Sequence, residues 1–281
     1  MVAVSIDGVL VAPDAARISV FDRGLLHGDG CFEVLRTWGG VARELEAHLD
    51  RLYETARFLV LRTMDRAKLN EAVYRTIAAA GATDDTGERR IRIVLTRGIG
   101  PFTARLAEVG PGTAIVIVEP LPPQPTEMTL AVVDWPLPRR EGRGHKVLSY
   151  VDHLIARELA RAAGADEAIR LDDDGNVVEC ASSNLFIVNG ETVSTPSVDH
   201  GGLPGIVRDR VLALCTRDGI ASRVRDLTVR DLRSADELFV TSSLRGVIAV
   251  TRLDGVPVMA GPITAQLASA YVAEMHDASS S

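Results

Sequence analysis

Four of the 13 prolines in this chain fall between positions 120 and 125: Pro120, Pro122, Pro123 and Pro125. Each fixes φ and lacks an N–H donor, so the stretch continues neither a helix nor a central strand. It suits an extended, semi-rigid connection. A chain of 281 residues is long enough for two domains, and the prolines divide it. Residues 1–119 are expected to form a smaller N-terminal α/β domain, 120–126 a linker, and 127–281 a larger C-terminal domain.

Hydrophobic spacing fills in the two halves. Val2–Ile6, the Asp7-Gly8 turn and Val9–Val11 read as a hairpin, and Cys31–Thr37 as a strand before the Gly39-Gly40 turn. Leu45, Leu49, Leu52, Ala56 and Leu59 recur at helical spacing, which predicts a helix over Glu44–Leu61. A second helix is predicted over Asp65–Ala80, stopped by Gly81. Ile91–Thr96 and Thr113–Val118 read as strands. Beyond the prolines, strands are expected at Met128–Asp134, Glu237–Thr241 and Gly246–Arg252. Hairpins are expected at Glu167–Glu179 and Asn184–Thr195, and helices at Val151–Ala163, Ile206–Arg217 and Pro262–Met275. The Ser279–Ser281 tail is low in complexity.

Composition excludes several classes. Hydrophobic residues make up 46% and charged residues 25%, which are globular proportions and rule out wholesale disorder. A net charge of −7 argues against a broad basic surface for nucleic acid or anionic lipid. No apolar run approaches the ~18 residues of a membrane span. Met1 to Arg17 has neither a basic start nor a continuous apolar segment, so it does not read as a signal peptide, and a cytoplasmic location is expected. Cys31, Cys180 and Cys215 lie far apart, so buried thiols are expected rather than a disulfide framework or a metal site.

Of the 31 basic residues, two are lysine, Lys68 and Lys146, and the other 29 are arginine. Arginine cannot be deprotonated in a protein, whereas lysine can act as a nucleophile or base. Lys68 sits among polar residues of a predicted helix and reads as a solvated charge. Lys146 follows Gly142-Arg143-Gly144-His145, where glycines let the backbone approach a ligand closely. By themselves, Glu179 reads as a hairpin-end glutamate, Tyr150 as core and Arg51 as a solvated arginine.

The ordered set is more specific than its members. Gly28-Asp29-Gly30, His48-Leu49-Asp50-Arg51-Leu52, Lys146, Glu179 to Asn184, Gly205-Ile206 and Thr241-Ser242-Ser243 occur in one chain. That set resembles the class IV, fold-type-IV, pyridoxal-phosphate-dependent aminotransferases over nearly the whole length. The resemblance implies a mixed α/β, two-domain enzyme with the cofactor between the domains. It implies a homodimer acting on a small-molecule amino donor and a 2-oxo acid, with no nucleic acid or membrane partner. By the same resemblance Lys146 forms the Schiff base and moves the proton between the substrate α-carbon and the cofactor. Glu179 keeps the pyridine nitrogen protonated, and Tyr150 bonds the phenolate oxygen. Arg51, the N–H groups of Ile206 and Val207, and the Thr241 hydroxyl hold the phosphate. The amino group then rests on the cofactor as pyridoxamine phosphate before transfer.

Substrate choice is read from fewer residues. Phe32, Val34, Arg36, Arg97, Ser242, Ser243 and Arg245 are the candidates for the substrate side. Valine at position 34, with Asp22-Arg23-Gly24 and Thr96-Arg97-Gly98, resembles the D-amino-acid aminotransferases. Those enzymes carry an Arg-x-His carboxylate clamp where this chain has Phe102 and Ala104. Arg97, Arg36 or Arg245 is expected to replace it. A D-amino acid is therefore the expected donor, or else a primary amine. A 4-amino-4-deoxychorismate lyase or a branched-chain aminotransferase is the alternative. A relative that binds the cofactor without transamination is the alternative from another class.

Overall fold

The structure is a computed structural model that describes residues 1–81, 87–136 and 144–277. Gly142, Arg143 and the Ser279–Ser281 tail lie outside the described residues. The chain forms two compact units, one of Met1–Pro123 with Lys146–Tyr150, the other of Gln124–His145 with Val151–Ser281. Lys146 was expected with the C-terminal domain, but its segment groups with the first unit. The reason is a short main-chain ladder described below.

The first unit contains β1 (Ala3–Ile6), β2 (Val9–Val11), α1 (Arg23–His27), β3 (Gly30–Arg36), α2 (Leu45–Phe58), α3 (Arg66–Ala80), β4 (Arg89–Thr96) and β5 (Ala114–Pro120). Its sheet has the order β2-β1-β5-β4-β3, and every neighbouring pair is antiparallel. Strand residues alternate between faces, so Cys31 and Leu35 of β3 point to one side with Ile91, Ile93 and Leu95 of β4 in the same core. Leu45, Leu49 and Leu52 of α2 close that core at no more than 1% exposure. Each buried leucine of this kind contributes roughly 1.5–3 kcal/mol. Asp65 caps α3 by accepting from the N–H groups of Ala67 and Lys68. Lys68 is exposed, as its sequence setting suggests.

The helix expected over Glu44–Leu61 stops at Phe58. Val60 takes a positive φ of 54°, and the carbonyls of Leu59 and Val60 accept from the Arg97 guanidinium at 2.7 and 2.9 Å. A tertiary cation thus terminates α2 where the apolar spacing alone would continue it.

The second unit contains β6 (Glu127–Val132), α4 (Val151–Ala162), β7 (Glu167–Leu171), β8 (Asn176–Cys180), β9 (Asn184–Asn189) and β10 (Thr192–Thr195). It continues with α5 (Ile206–Asp218), β11 (Ala221–Val224), β12 (Leu227–Thr228), α6 (Val229–Arg233), β13 (Glu237–Ser242), β14 (Gly246–Leu253), β15 (Val256–Pro257) and α7 (Pro262–His276). The sheet runs β11-β10-β9-β13-β14-β6-β7-β8-β12, with β15 beside β14. The central strand β6 is parallel to both β14 and β7. Phe186 and Phe239 face each other across β9 and β13 and stack at 4.7 Å. The three cysteines are free and buried. Among the described residues no helix is long and apolar enough to cross a membrane.

Candidate active site

Lys146 is held by backbone before its side chain is considered. Its carbonyl accepts from Phe32 N at 3.1 Å, and Leu148 N donates to Gly30 O at 2.9 Å. Cys31 and Val147 form the bridge between them, so Lys146–Leu148 runs as an extra antiparallel rung along β3. The Lys146 Nζ then lies 4.8 Å from the Phe32 ring centroid and 5.8 Å from that of Tyr150. The two rings meet edge to face at 5.4 Å and 87°. An amine in this corner sees two π faces, which fix its direction.

A second cation shares the Phe32 ring. Arg92 of β4 sits with Cζ 4.4 Å from the same centroid, directly across the sheet from Val34. Burial, with Arg90 nearby, lowers its pKa from the usual arginine value. No carboxylate among the described residues pairs with it within 4.0 Å. The sequence reading missed Arg92, because a lone arginine inside Arg89-Arg90-Ile91-Arg92 looks like one of several strand charges.

Arg51 is held side-on by a buried carboxylate. Its Nε donates to Glu33 Oε1 and one Nη to Glu33 Oε2, both at 2.7 Å. The other contact of that carboxylate is His48 Nδ1 at 2.7 Å from Oε2. Burial tends to raise the Glu33 pKa, but Arg51 and His48 outweigh it and hold it at about 2.

The three arginines proposed to replace the clamp are all engaged elsewhere. Arg97 is 2% exposed and gives its Nε to Asp29 at 2.7 Å and its other donors to the carbonyls of Leu59, Val60 and Leu106. This is a scaffolding cation, with its fork spent on protein oxygens. Asp29 also accepts from Arg23 Nε at 3.0 Å. Arg36 stacks 4.0 Å over Trp38 and donates to Thr37 O. Arg245 lies 3.8 Å from both Glu167 Oε2 and Met128 Sδ. Phe102, at a clamp position, is 78% exposed.

The second unit gathers groups suited to an anion and a ring nitrogen. Glu179, on β8, is 7% exposed, and its Oε2 accepts from Leu203 N at 2.9 Å. Asn184 Nδ2 donates to Leu203 O at 2.9 Å, so both side chains brace the turn that enters α5. Gly205 is the N-cap of α5 and offers no side-chain bond, and a Cβ there would overlap Asn184 Oδ1. The N–H groups of Ile206 and Val207 therefore begin the helix without a side-chain cap, which is the setting that favours an anion. Thr241, 1% exposed on β13, has a buried hydroxyl with no partner among the described residues. Ser242, at the end of β13, and Ser243, in the turn to β14, are half-buried, and Ser242 O accepts from Arg245 N at 3.2 Å. An uncapped helix start, an orphaned hydroxyl and a buried carboxylate fit pyridoxal phosphate's phosphate and pyridinium, and Lys146 fits its aldehyde.

Comparison with known proteins gives the family. The chain is 35% identical to a putative branched-chain-amino-acid aminotransferase of Methanocaldococcus jannaschii, covering 89% of this chain and 87% of that protein. It is 30% identical to the D-alanine aminotransferase of Listeria monocytogenes, covering 97% and 96%. Its structure resembles the branched-chain aminotransferase of Thermoproteus uzoniensis, solved with norvaline, at a TM-score of 0.89 and 28% identity over 97% of this chain and 94% of that one. It also resembles the 4-amino-4-deoxychorismate lyase of Pseudomonas aeruginosa at 0.83 and 31%, over 95% and 97%. Residues 30–253 match the family described as Amino-transferase class IV, so the chain belongs to that family of pyridoxal-phosphate-dependent enzymes.

Proposed function

We propose that this aminotransferase takes an α-amino acid with an aliphatic side chain and passes its amino group to a 2-oxo acid. The observation that carries this reading is the pair of cations on Phe32, with Lys146 at 4.8 Å and Arg92 at 4.4 Å. One is the amine that the chemistry requires. The other is a partly desolvated guanidinium able to receive the carboxylate that distinguishes an amino acid from a simple amine.

Bound pyridoxal phosphate supplies the aldehyde and the electron sink. Lys146 is the amine that would hold that aldehyde and the base that would move the proton of the donor α-carbon. Glu179, whose Oε2 accepts from Leu203 N, would hold the proton on the ring nitrogen. Tyr150, which flanks Lys146, would bond the ring oxygen. Arg51, the Ile206 and Val207 N–H groups and Thr241 would receive the phosphate. Phe32 and Val34 shape the wall beside Arg92, and Ser242 and Ser243 are assigned to the substrate side at the end of β13.

The L-branched-chain series is the first reading for the donor. Support comes from the 35% identical relative and from the absence of the Arg-x-His clamp at Phe102 and Ala104. The D series is the second reading, favoured by Val34 and by the D-alanine aminotransferase relative. A homodimer and a cytoplasmic setting accompany both readings.

The test is a single-turnover panel on the purified, cofactor-loaded enzyme. L-leucine, D-alanine and 4-amino-4-deoxychorismate are each added, and the cofactor spectrum and pyruvate are followed. Conversion to the pyridoxamine form with L-leucine, lost in Lys146→Ala, supports the first reading. Conversion with D-alanine alone moves the assignment to the second. Pyruvate release from the chorismate derivative without that conversion refutes both.

A further inference from the structure

We propose that Glu33 is a positioning residue, braced by His48, that aims the Arg51 guanidinium at the cofactor phosphate. The inference rests on the reading of Arg51 as a phosphate ligand and extends it to two residues outside that ligand set.

Glu33 occupies a place where a carboxylate is costly. It lies on β3 between Cys31 and Leu35, on the face that builds the apolar core, and it is wholly buried. A cation pair alone does not justify such a position. Apolar side chains of similar volume commonly stabilise a core as well or better than a buried ion pair does. The arrangement has a direction, however. His48 and Arg51 are three residues apart on α2, so they share one face and reach Glu33 together. Glu33 uses both oxygens on Arg51, at 2.7 Å to Nε and 2.7 Å to one Nη. This side-on fork fixes the guanidinium plane and turns its outer edge away from Glu33. His48 Nδ1, at 2.7 Å from Oε2, fixes the carboxylate in turn. Glu33 is anionic, so His48 donates through Nδ1–H, and its buried Nε2 has no partner among the described residues. Among the described residues the imidazole thus makes one hydrogen bond, to Glu33. A side chain that tolerates an orphaned nitrogen to hold one carboxylate is placed for orientation.

The test compares pyridoxal phosphate with pyridoxal, which has no phosphate. Apoenzyme is titrated with each, following protein fluorescence, for wild type, Glu33→Gln, Arg51→Ala and the double variant. Glu33→Gln is expected to weaken pyridoxal phosphate about tenfold and leave pyridoxal unchanged. In the Arg51→Ala background the same change is expected to add nothing. Equal loss for both ligands, or full additivity in the double variant, would mean that Glu33 is structural only. Unchanged pyridoxal phosphate binding in Arg51→Ala would instead remove the phosphate reading of Arg51 itself. If Glu33→Gln does not fold, His48→Gln is titrated in the same way. A smaller loss confined to the phosphorylated ligand supports the proposal, and no selective loss overturns it.

Discussion

Replacing Arg92 by leucine separates substrate recognition from stability. In the folded protein the guanidinium lies against Phe32 at 4.4 Å, partly desolvated and with no carboxylate partner among the described residues. Leucine removes that desolvation cost and keeps an apolar contact with the ring, so the unfolding midpoint should not fall. The bound substrate is affected differently. A guanidinium fork makes two charge-assisted hydrogen bonds to a carboxylate, each contributing about 1.5 kcal/mol at the low end. Losing both removes about 3 kcal/mol, or roughly a hundredfold in apparent affinity. The assay is the half-reaction with L-leucine and with 3-methylbutylamine, its counterpart without the carboxylate, each followed by cofactor absorbance. The variant should need roughly a hundredfold more L-leucine for half-saturation, while its response to the amine stays near wild type. Equal weakening of both donors would show that Arg92 acts by shaping the Lys146 corner. No weakening of either would place the carboxylate receptor elsewhere.

Two further outcomes follow from the buried charges of the first unit. Arg97→Ala should lower unfolding stability by about 3–5 kcal/mol in a denaturant titration, because it strips Asp29 of one partner and leaves three carbonyls without their donor. A loss within ~0.5 kcal/mol, the range of ordinary surface changes, would contradict its role as scaffold. Acid sensitivity should track Glu33 and Asp29, whose folded pKa values lie below the ordinary 4.5 and 3.8, with Glu33 held at about 2. A depressed carboxylate pKa stabilises the fold above the ordinary value, and that contribution is lost as pH falls towards the folded one. The urea midpoint should therefore drop between pH 5 and pH 2 in the wild type and drop less in a folded Glu33→Gln variant. Identical acid profiles would remove Glu33 from the account.

Long periodic elements were legible because burial of one face determines them. The leucine spacing of α2, the hairpin turns at Asp7-Gly8 and Asn189-Gly190, and the glycine stop of α3 all appear where local chemistry puts them. What escaped were α1, α6, β11, β12 and β15, each of five residues or fewer. Elements that short carry less than two turns of helical period, or barely two strand alternations, and they are set by tertiary partners. Helix α1 shows this: it begins because Asp22 accepts from Gly24 N, and Asp22 is itself fixed by Thr96 Oγ1 at 2.8 Å and Thr113 Oγ1 at 3.1 Å.

The family motifs were legible as signatures before they were legible as physics. Asp22-Arg23-Gly24, Gly28-Asp29-Gly30 and Thr96-Arg97-Gly98 were read as three separate pieces of resemblance. In the structure they are one ion cluster, since Asp29 accepts from Arg23 at 3.0 Å and from Arg97 at 2.7 Å, and Thr96 bonds Asp22. The glycines belong to the same object: a Cβ at Gly24 would press on Thr96, and one at Gly30 on the Leu95 carbonyl. Arg97, one of three arginines expected to replace the carboxylate clamp, instead spends its donors on Asp29 and three main-chain carbonyls. Arg92 has the opposite history. It belongs to no signature, and strand alternation conceals it among three arginines of β4. The cross-strand pairing with Val34 and the shared ring of Phe32 are what bring it beside Lys146. A motif reports which residues the fold requires together. Arg92, with no carboxylate partner among the described residues, is the cation that the proposed carboxylate recognition uses.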